Sequence, residues 1–166
     1  MRSTSKASIL LRHDRRFVWL LAGAAFATLA LLAIWIHPVE VPQYENDRYH
    51  LQAETLLSGS WPRDVYRPTL YVLLTAALGL VTGDCFLGGK IVSSFGIALL
   101  IVATHRLTRE LHGRTAAVTA AMLTAVSPLA IRYGVVAGTD ALFAALFTLA
   151  LFASLRAART LDMRSA

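Results

Sequence analysis

The sequence predicts an all-α integral membrane protein, with about four transmembrane helices and two membrane-surface helices in the first outer loop. Three observations lead there. Only 16% of the residues are charged, against roughly 25% in soluble domains. Mean hydropathy is +0.56. Long runs carry no charge at all, the first being residues 17–36. A net charge of +6 by itself suggests nucleic acid as a partner. The placement of the basic residues excludes it, because they sit beside apolar runs, where Lys and Arg set membrane orientation. The lone Cys85 excludes an internal disulfide framework and a Cys-based zinc site.

Residues 1–16 form a polar, basic tail, read as cytoplasmic. The apolar run 17–36 is longer than a signal-peptide core of about 7–15 residues. It ends Trp35-Ile36-His37-Pro38, without a small-residue cleavage site. It is therefore read as an uncleaved span, with Trp35 in the interfacial belt and Pro38 and Pro42 ending it.

The stretch 44–59 follows and holds three of the ten carboxylates, Glu45, Asp47 and Glu54. Asn46 or Asp47 can cap a helix over about 46–58. Tyr49, Ala53, Leu56 and Leu57 share one face at spacings of three and four, and Gly59 is a stop signal. One greasy and one charged face suit a helix lying on the membrane. After an irregular connector comes 69–82, apolar but short of the roughly 20 residues a span needs. Three full apolar segments follow at about 86–104, 115–131 and 138–155. A basic turn at 105–114 separates the first two, and a tail at 158–166 ends the chain.

Charge decides whether 69–82 crosses. Five spans would put six of the sixteen Lys and Arg outside, against the positive-inside rule. Four spans leave eleven of sixteen on the cytoplasmic side and seven of the ten acids outside. The four-span arrangement makes 37–85 an outer loop with surface helices at about 46–58 and 69–82. The 17–157 region is then the membrane domain, with both termini in the cytoplasm. It also brings Asp140 to the side that carries Glu45 and Asp47.

A carboxylate at the outer surface can take a proton from an attacking hydroxyl, which makes Glu45 and Asp47 candidate bases. Their plainer reading is as solvated loop acids, with Asp47 a helix cap. Asp140 is either a helix cap or a second acidic site sharing a centre with the first loop. Asp140 with Glu45 or Asp47 can hold a divalent metal ion. Arg63, Arg67, Lys90 and Arg132 lie near the outer ends of their segments and suit a lipid phosphate. Ordinary snorkelling to headgroups is the alternative. The histidines lack metal-ligand spacing, and there is no Walker, GxSxG or HExxH pattern. Gly88-Gly89 reads as close helix packing rather than a phosphate loop.

Six pieces now carry a resemblance. They are Glu45-Asn46-Asp47-Arg48-Tyr49 with Ala53, Leu56-Leu57 and Gly59; Arg67-Pro68-Thr69-Leu70-Tyr71; Lys90-Ile91-Val92-Ser93-Ser94; His105-Arg106-Leu107 through Gly113-Arg114-Thr115-Ala116-Ala117; Ala125-Val126-Ser127-Pro128-Leu129; and Thr139-Asp140-Ala141-Leu142-Phe143. In this order they resemble the N-terminal portion of class C, polyprenyl-phosphate-sugar-dependent glycosyltransferases. The closest groups are the protein-mannosyltransferase family (glycosyltransferase family 39-like) and the aminoarabinose transferase that modifies lipid A. The resemblance covers about residues 17–157. It implies that the family's first-loop base falls on Glu45. The second acid of the pair falls on Asn46, so Asp47 is held jointly with Glu45. The acid after the third span falls on Asp140, and the basic residue on lipid phosphate falls on Arg67.

The implied activity moves a sugar from a polyprenyl-phosphate-linked donor to an acceptor hydroxyl at the outer face of the plasma membrane. Family members are usually several times longer. The chain is therefore expected to be a front portion working with a C-terminal part or with further membrane subunits. The alternative is a non-catalytic membrane subunit, or a truncated remnant, acting as a scaffold. A small transporter fits less well, because the spans carry almost no mid-membrane polar groups.

Overall fold

The computed structural model describes residues 3–36, 49–61 and 69–165. These residues form six helices and no strand. They are α1 (Ser3–Ile36), α2 (Tyr49–Leu57), α3 (Thr69–Thr82), α4 (Cys85–Val126), α5 (Pro128–Val135) and α6 (Asp140–Ser165). The chain is an all-α integral membrane protein. Three of its helices are long and apolar enough to cross a membrane: Arg16–Ile36 within α1, Cys85–Val126, and Asp140–Leu161 within α6.

The second of these is two arms. Gly113 sits inside α4 with φ 83° and ψ −171°, a backbone region essentially confined to glycine. The chain folds back there. Ser94 of the first arm donates its hydroxyl hydrogen bond to the Gly134 carbonyl at 2.7 Å, and the two residues lie at nearly equal distances along the chain from Gly113. The second arm continues past Ser127 into α5, with Pro128 in the first turn, where its missing N–H costs nothing. The expected loop at 105–114 is therefore mostly helix. Leu, Arg, Glu and His sustain the helix to 112, and only Gly113 breaks it.

α4 is the central element and touches every other helix. Its main core joins Val18, Ala22 and Leu29 of α1 to Ile97, Ile101, Val102 and Ala121 of α4, Ala130 of α5 and Ala141 of α6. Small residues dominate the closest approaches, as in membrane helix pairs. A Cβ on Gly96 would lie 2.7 Å from the Leu142 backbone nitrogen. One on Gly88 would lie 2.9 Å from the Gly79 nitrogen and the Thr75 carbonyl oxygen. Large apolar side chains point outward instead, among them Leu20, Trp35, Leu80, Val81 and Phe143. Lipid is the solvent that suits such a surface.

α3 has 14 residues and rises about 21 Å, well short of a hydrocarbon core of about 30 Å. It buries Tyr71, Val72, Thr75, Ala76 and Gly79 against its neighbours. α2 packs Ala53, with Tyr49 and Leu56 partly buried, against Val72, Ala76 and Cys85. Leu57, expected on the same face, is exposed. Leu57 lies about 80° around the helix from Tyr49 and about 100° from Leu56, at the edge of that face. The Ser60 N–H donates to the Thr55 carbonyl and the Gly59 N–H to the Leu56 carbonyl, both at 3.1 Å. Gly59 has φ 84°, which completes a Schellman turn that ends the helix.

Two helix starts are well defined. Asp84 caps α4 by accepting from the Leu87 N–H at 2.9 Å. α6 begins at Asp140, later than the expected 138. Its backward extension fails because Gly138 is engaged elsewhere: the Ser93 hydroxyl donates to its carbonyl at 3.0 Å and accepts from its N–H at 3.3 Å.

Candidate functional site at the Asp140 end of the bundle

The candidate site begins with what fixes the segment ahead of Asp140. Residues 136–139 form a bend between α5 and α6, and Ser93 on α4 holds it by both polar groups of Gly138. Ser93 in turn lies 3.2 Å from the Tyr71 hydroxyl. Tyr71 donates to the Gly89 carbonyl at 2.8 Å. Its phenol is almost entirely buried. Burial holds its pKa far above the ordinary tyrosine value, so it stays protonated and remains a donor. Tyr71 also meets the Tyr49 ring edge-to-face, with centroids 5.1 Å apart. A continuous run of contacts thus leads from the first residue of α2, through α3 and α4, to the bend before Asp140.

A second run starts from the same end of α2. His50 lies edge-to-face on Phe86, with centroids 5.3 Å apart, and the Lys90 ammonium lies 4.5 Å from the Phe86 ring centroid. Lys90 is fully buried. It is not a surface group reaching to headgroups. A buried ammonium needs compensating contacts, and the Phe86 face supplies one.

Asp140 is the first residue of α6 and is exposed. Its carboxylate sits at the N-terminal end of the helix, where the macrodipole is positive. It also closes one end of an apolar groove of about 510 Å³ between the two arms of α4, α5 and α6. Ile97, Leu100, Leu123 and Ala144 form the walls, and Ser127 and Tyr133 add polar atoms. Arg132 is exposed in the last turn of α5, where a cation complements the dipole.

The expected site residues therefore divide. Lys90 and Asp140 come from segments that touch through Ser93 and Gly138. Arg132 stands on the helix before that bend. Glu45, Asp47, Arg63 and Arg67 lie outside the described residues. Among the described residues, no group of three His, Cys, Asp or Glu is placed to hold a metal ion, so Asp140 offers one carboxylate to such an ion and no more. Sequence reasoning gave no role to Tyr71, Ser93 or Gly138. Tyr71 and Ser93 stand in the sequence only as members of resemblance motifs and Gly138 as a turn residue, and the contacts that join them form only when residues far apart in the chain meet.

The family model described as dolichyl-phosphate-mannose-protein mannosyltransferase matches residues 66–165, more than half of the chain. No curated protein and no solved structure matches it. The matched region runs from just before α3 to the end of α6 and so contains Tyr71, Lys90, Ser93, Arg132 and Asp140 together. This chain belongs to the dolichyl-phosphate-mannose-protein mannosyltransferase family, a family of membrane glycosyltransferases.

Proposed function

We propose that the chain forms the membrane-embedded front of a transferase that moves a sugar from a polyprenyl-phosphate-linked donor to an acceptor hydroxyl. The reaction takes place at the outer face of the plasma membrane. The observation that carries this reading is the run of contacts from Tyr49 through Tyr71 and Ser93 to Gly138. Tyr49 follows the acidic first loop by two residues, and Gly138 precedes Asp140 by two. The run supports a common centre for the loop acids and Asp140.

In that centre Glu45 or Asp47 removes the proton of the acceptor hydroxyl. The acceptor oxygen forms a bond to the anomeric carbon as the bond from that carbon to the lipid phosphate oxygen breaks. One displacement inverts the anomeric configuration. The departing phosphate carries negative charge, which Arg67 and Arg63 offset from the loop, with Lys90 and Arg132 adding to the positive field. Asp140 binds the sugar hydroxyls or contributes to a divalent metal site. The groove beside Asp140 supports a place for the isoprenoid chain, since its lining is mostly apolar. The N- and C-termini face the cytoplasm, and the loop 37–85 faces out.

The test is substitution of each acid in the full chain in native membranes. Glu45→Gln, Asp47→Asn or Asp140→Asn is expected to reduce transfer by at least about a hundredfold, the lower range for a lost acid–base group, with membrane insertion unchanged. Unchanged transfer in all three variants would end the catalytic reading.

A further inference from the structure

The opposite end of the bundle carries a second recess with a different character. It has a volume of about 390 Å³ and lies between α1, α4 and α6. Arg106, Arg109 and Arg156 line it together with Glu110, Trp19 and Phe152. The helical rise of about 1.5 Å per residue puts Arg156 about 24 Å along α6 from Asp140. The two sites therefore sit at opposite ends of the bundle.

Its electrostatics are one-sided. Among the described residues the lining acid is Glu110, which receives a hydrogen bond and salt bridge at 2.9 Å from Arg159, outside the lining. That pairing offsets the Glu110 charge, and Arg106, Arg109 and Arg156 place three guanidinium groups around the cavity. Two of them are ordered by aromatic faces. Arg106 lies 6.0 Å from the centroid of Trp19, and Arg156 lies 5.7 Å from that of Phe152. Stacking of this kind restricts a guanidinium while leaving its N–H edge open to an oxyanion.

The depth of the recess identifies the ligand. Trp19 stands one turn inside Arg16, where the first candidate span begins, and Arg156 stands near the far end of the last, Asp140–Leu161. Both mark the level at which a bilayer places its phosphates. Beside the recess, Leu20 is 73% exposed and offers an apolar flank on the membrane side. Cationic pockets between membrane helices at this depth bind acidic headgroups. We propose that the recess is a binding site for the phosphate of an anionic phospholipid, held by Arg106, Arg109 and Arg156. Free inorganic phosphate shares the chemistry but would not use the apolar flank. The leaflet follows from the proposed topology and is the cytoplasmic one. The binding itself does not depend on the transferase reading.

The test uses the full chain purified in a non-ionic detergent, titrated with phosphatidylglycerol or phosphatidylcholine and read by native mass spectrometry. Phosphatidylglycerol is expected to bind more tightly than phosphatidylcholine. Arg106→Gln and Arg156→Gln should each weaken it by about fivefold, the effect of one cation at a membrane surface. Arg156→Lys should retain part of the affinity. Arg114→Gln removes the same charge from outside the recess and should leave binding unchanged. Equal binding of the two lipids, or equal weakening by Arg114→Gln, would overturn the proposal. If inorganic phosphate without lipid raises the melting temperature of the wild type but not of Arg156→Gln, the recess is a phosphate site and the lipid assignment fails.

Discussion

Ser93 shows how much one hydroxyl can organise. It is fully buried beside Ser94, and it ties α4 to the bend before Asp140 through both polar groups of Gly138. Replacing it leaves a part-buried carbonyl and N–H without that partner, which costs roughly 1–3 kcal/mol. Ser93→Ala is expected to lower thermal stability in detergent by that amount. Because Ser93 acts on Asp140 through the backbone, the variant should also reduce kcat for sugar transfer more than it raises KM for the donor. A stability loss with unchanged kcat would leave Ser93 a packing residue only. Lys90 makes a related point. Its position near a helix start suggests a headgroup contact, but its burial against Phe86 gives it a fixed environment and makes its charge part of the interior field.

At the scale of the elements, the hairpin of α4 is the feature on which the rest depends. Its two arms share the core with α1 and α6, and its reversal depends on one residue. Gly113 has a positive φ with an extended ψ, and a side chain there is strained whatever the space around it. Gly113→Ala is expected to cost about 1–3 kcal/mol, measurable as a lowered melting temperature, with helical content kept because each arm remains a good helix. A variant as stable as the wild type would mean that the reversal does not depend on this conformation. α3 makes the complementary argument. It is as apolar as a span but too short for one, and it uses its buried face against α2 and α4.

For the whole molecule, the proposed topology puts seven of the ten acids outside and eleven of the sixteen Lys and Arg inside. Ser58 follows α2 and is exposed. In a chain whose Cys85 is replaced by Ser, Ser58→Cys should react with a membrane-impermeant maleimide added to intact cells. Ser165→Cys should react only after the membrane is opened. The reverse pattern, or labelling of both from one side, would refute four spans with cytoplasmic termini. The same arrangement separates two phosphate-seeking regions. One is the proposed transfer centre at the Asp140 end, and the other is the arginine recess at the far end, so their variants should act independently.

Charge scarcity and the spacing of apolar runs by themselves determined the class of the protein, the shortness of α3 and the assignment of α1, α4 and α6 as membrane helices. These are properties of composition and length, and the bilayer imposes them on any fold. Six short motifs in order carried the family resemblance, which the match over 66–165 bears out. Helix boundaries were less legible. The helix formers within 105–112 are masked by the cluster of charges that reads as a basic turn, and the hydrogen bonds of Gly138 with Ser93 delay α6 to Asp140. Tertiary structure alone decided that Tyr49, Tyr71, Ser93 and Gly138 form one line, that Lys90 is interior, and that Arg106, Arg109 and Arg156 face a single recess. Each of these joins residues distant in sequence, and pairing across such separations is set by how the helices pack around α4, which no local pattern encodes.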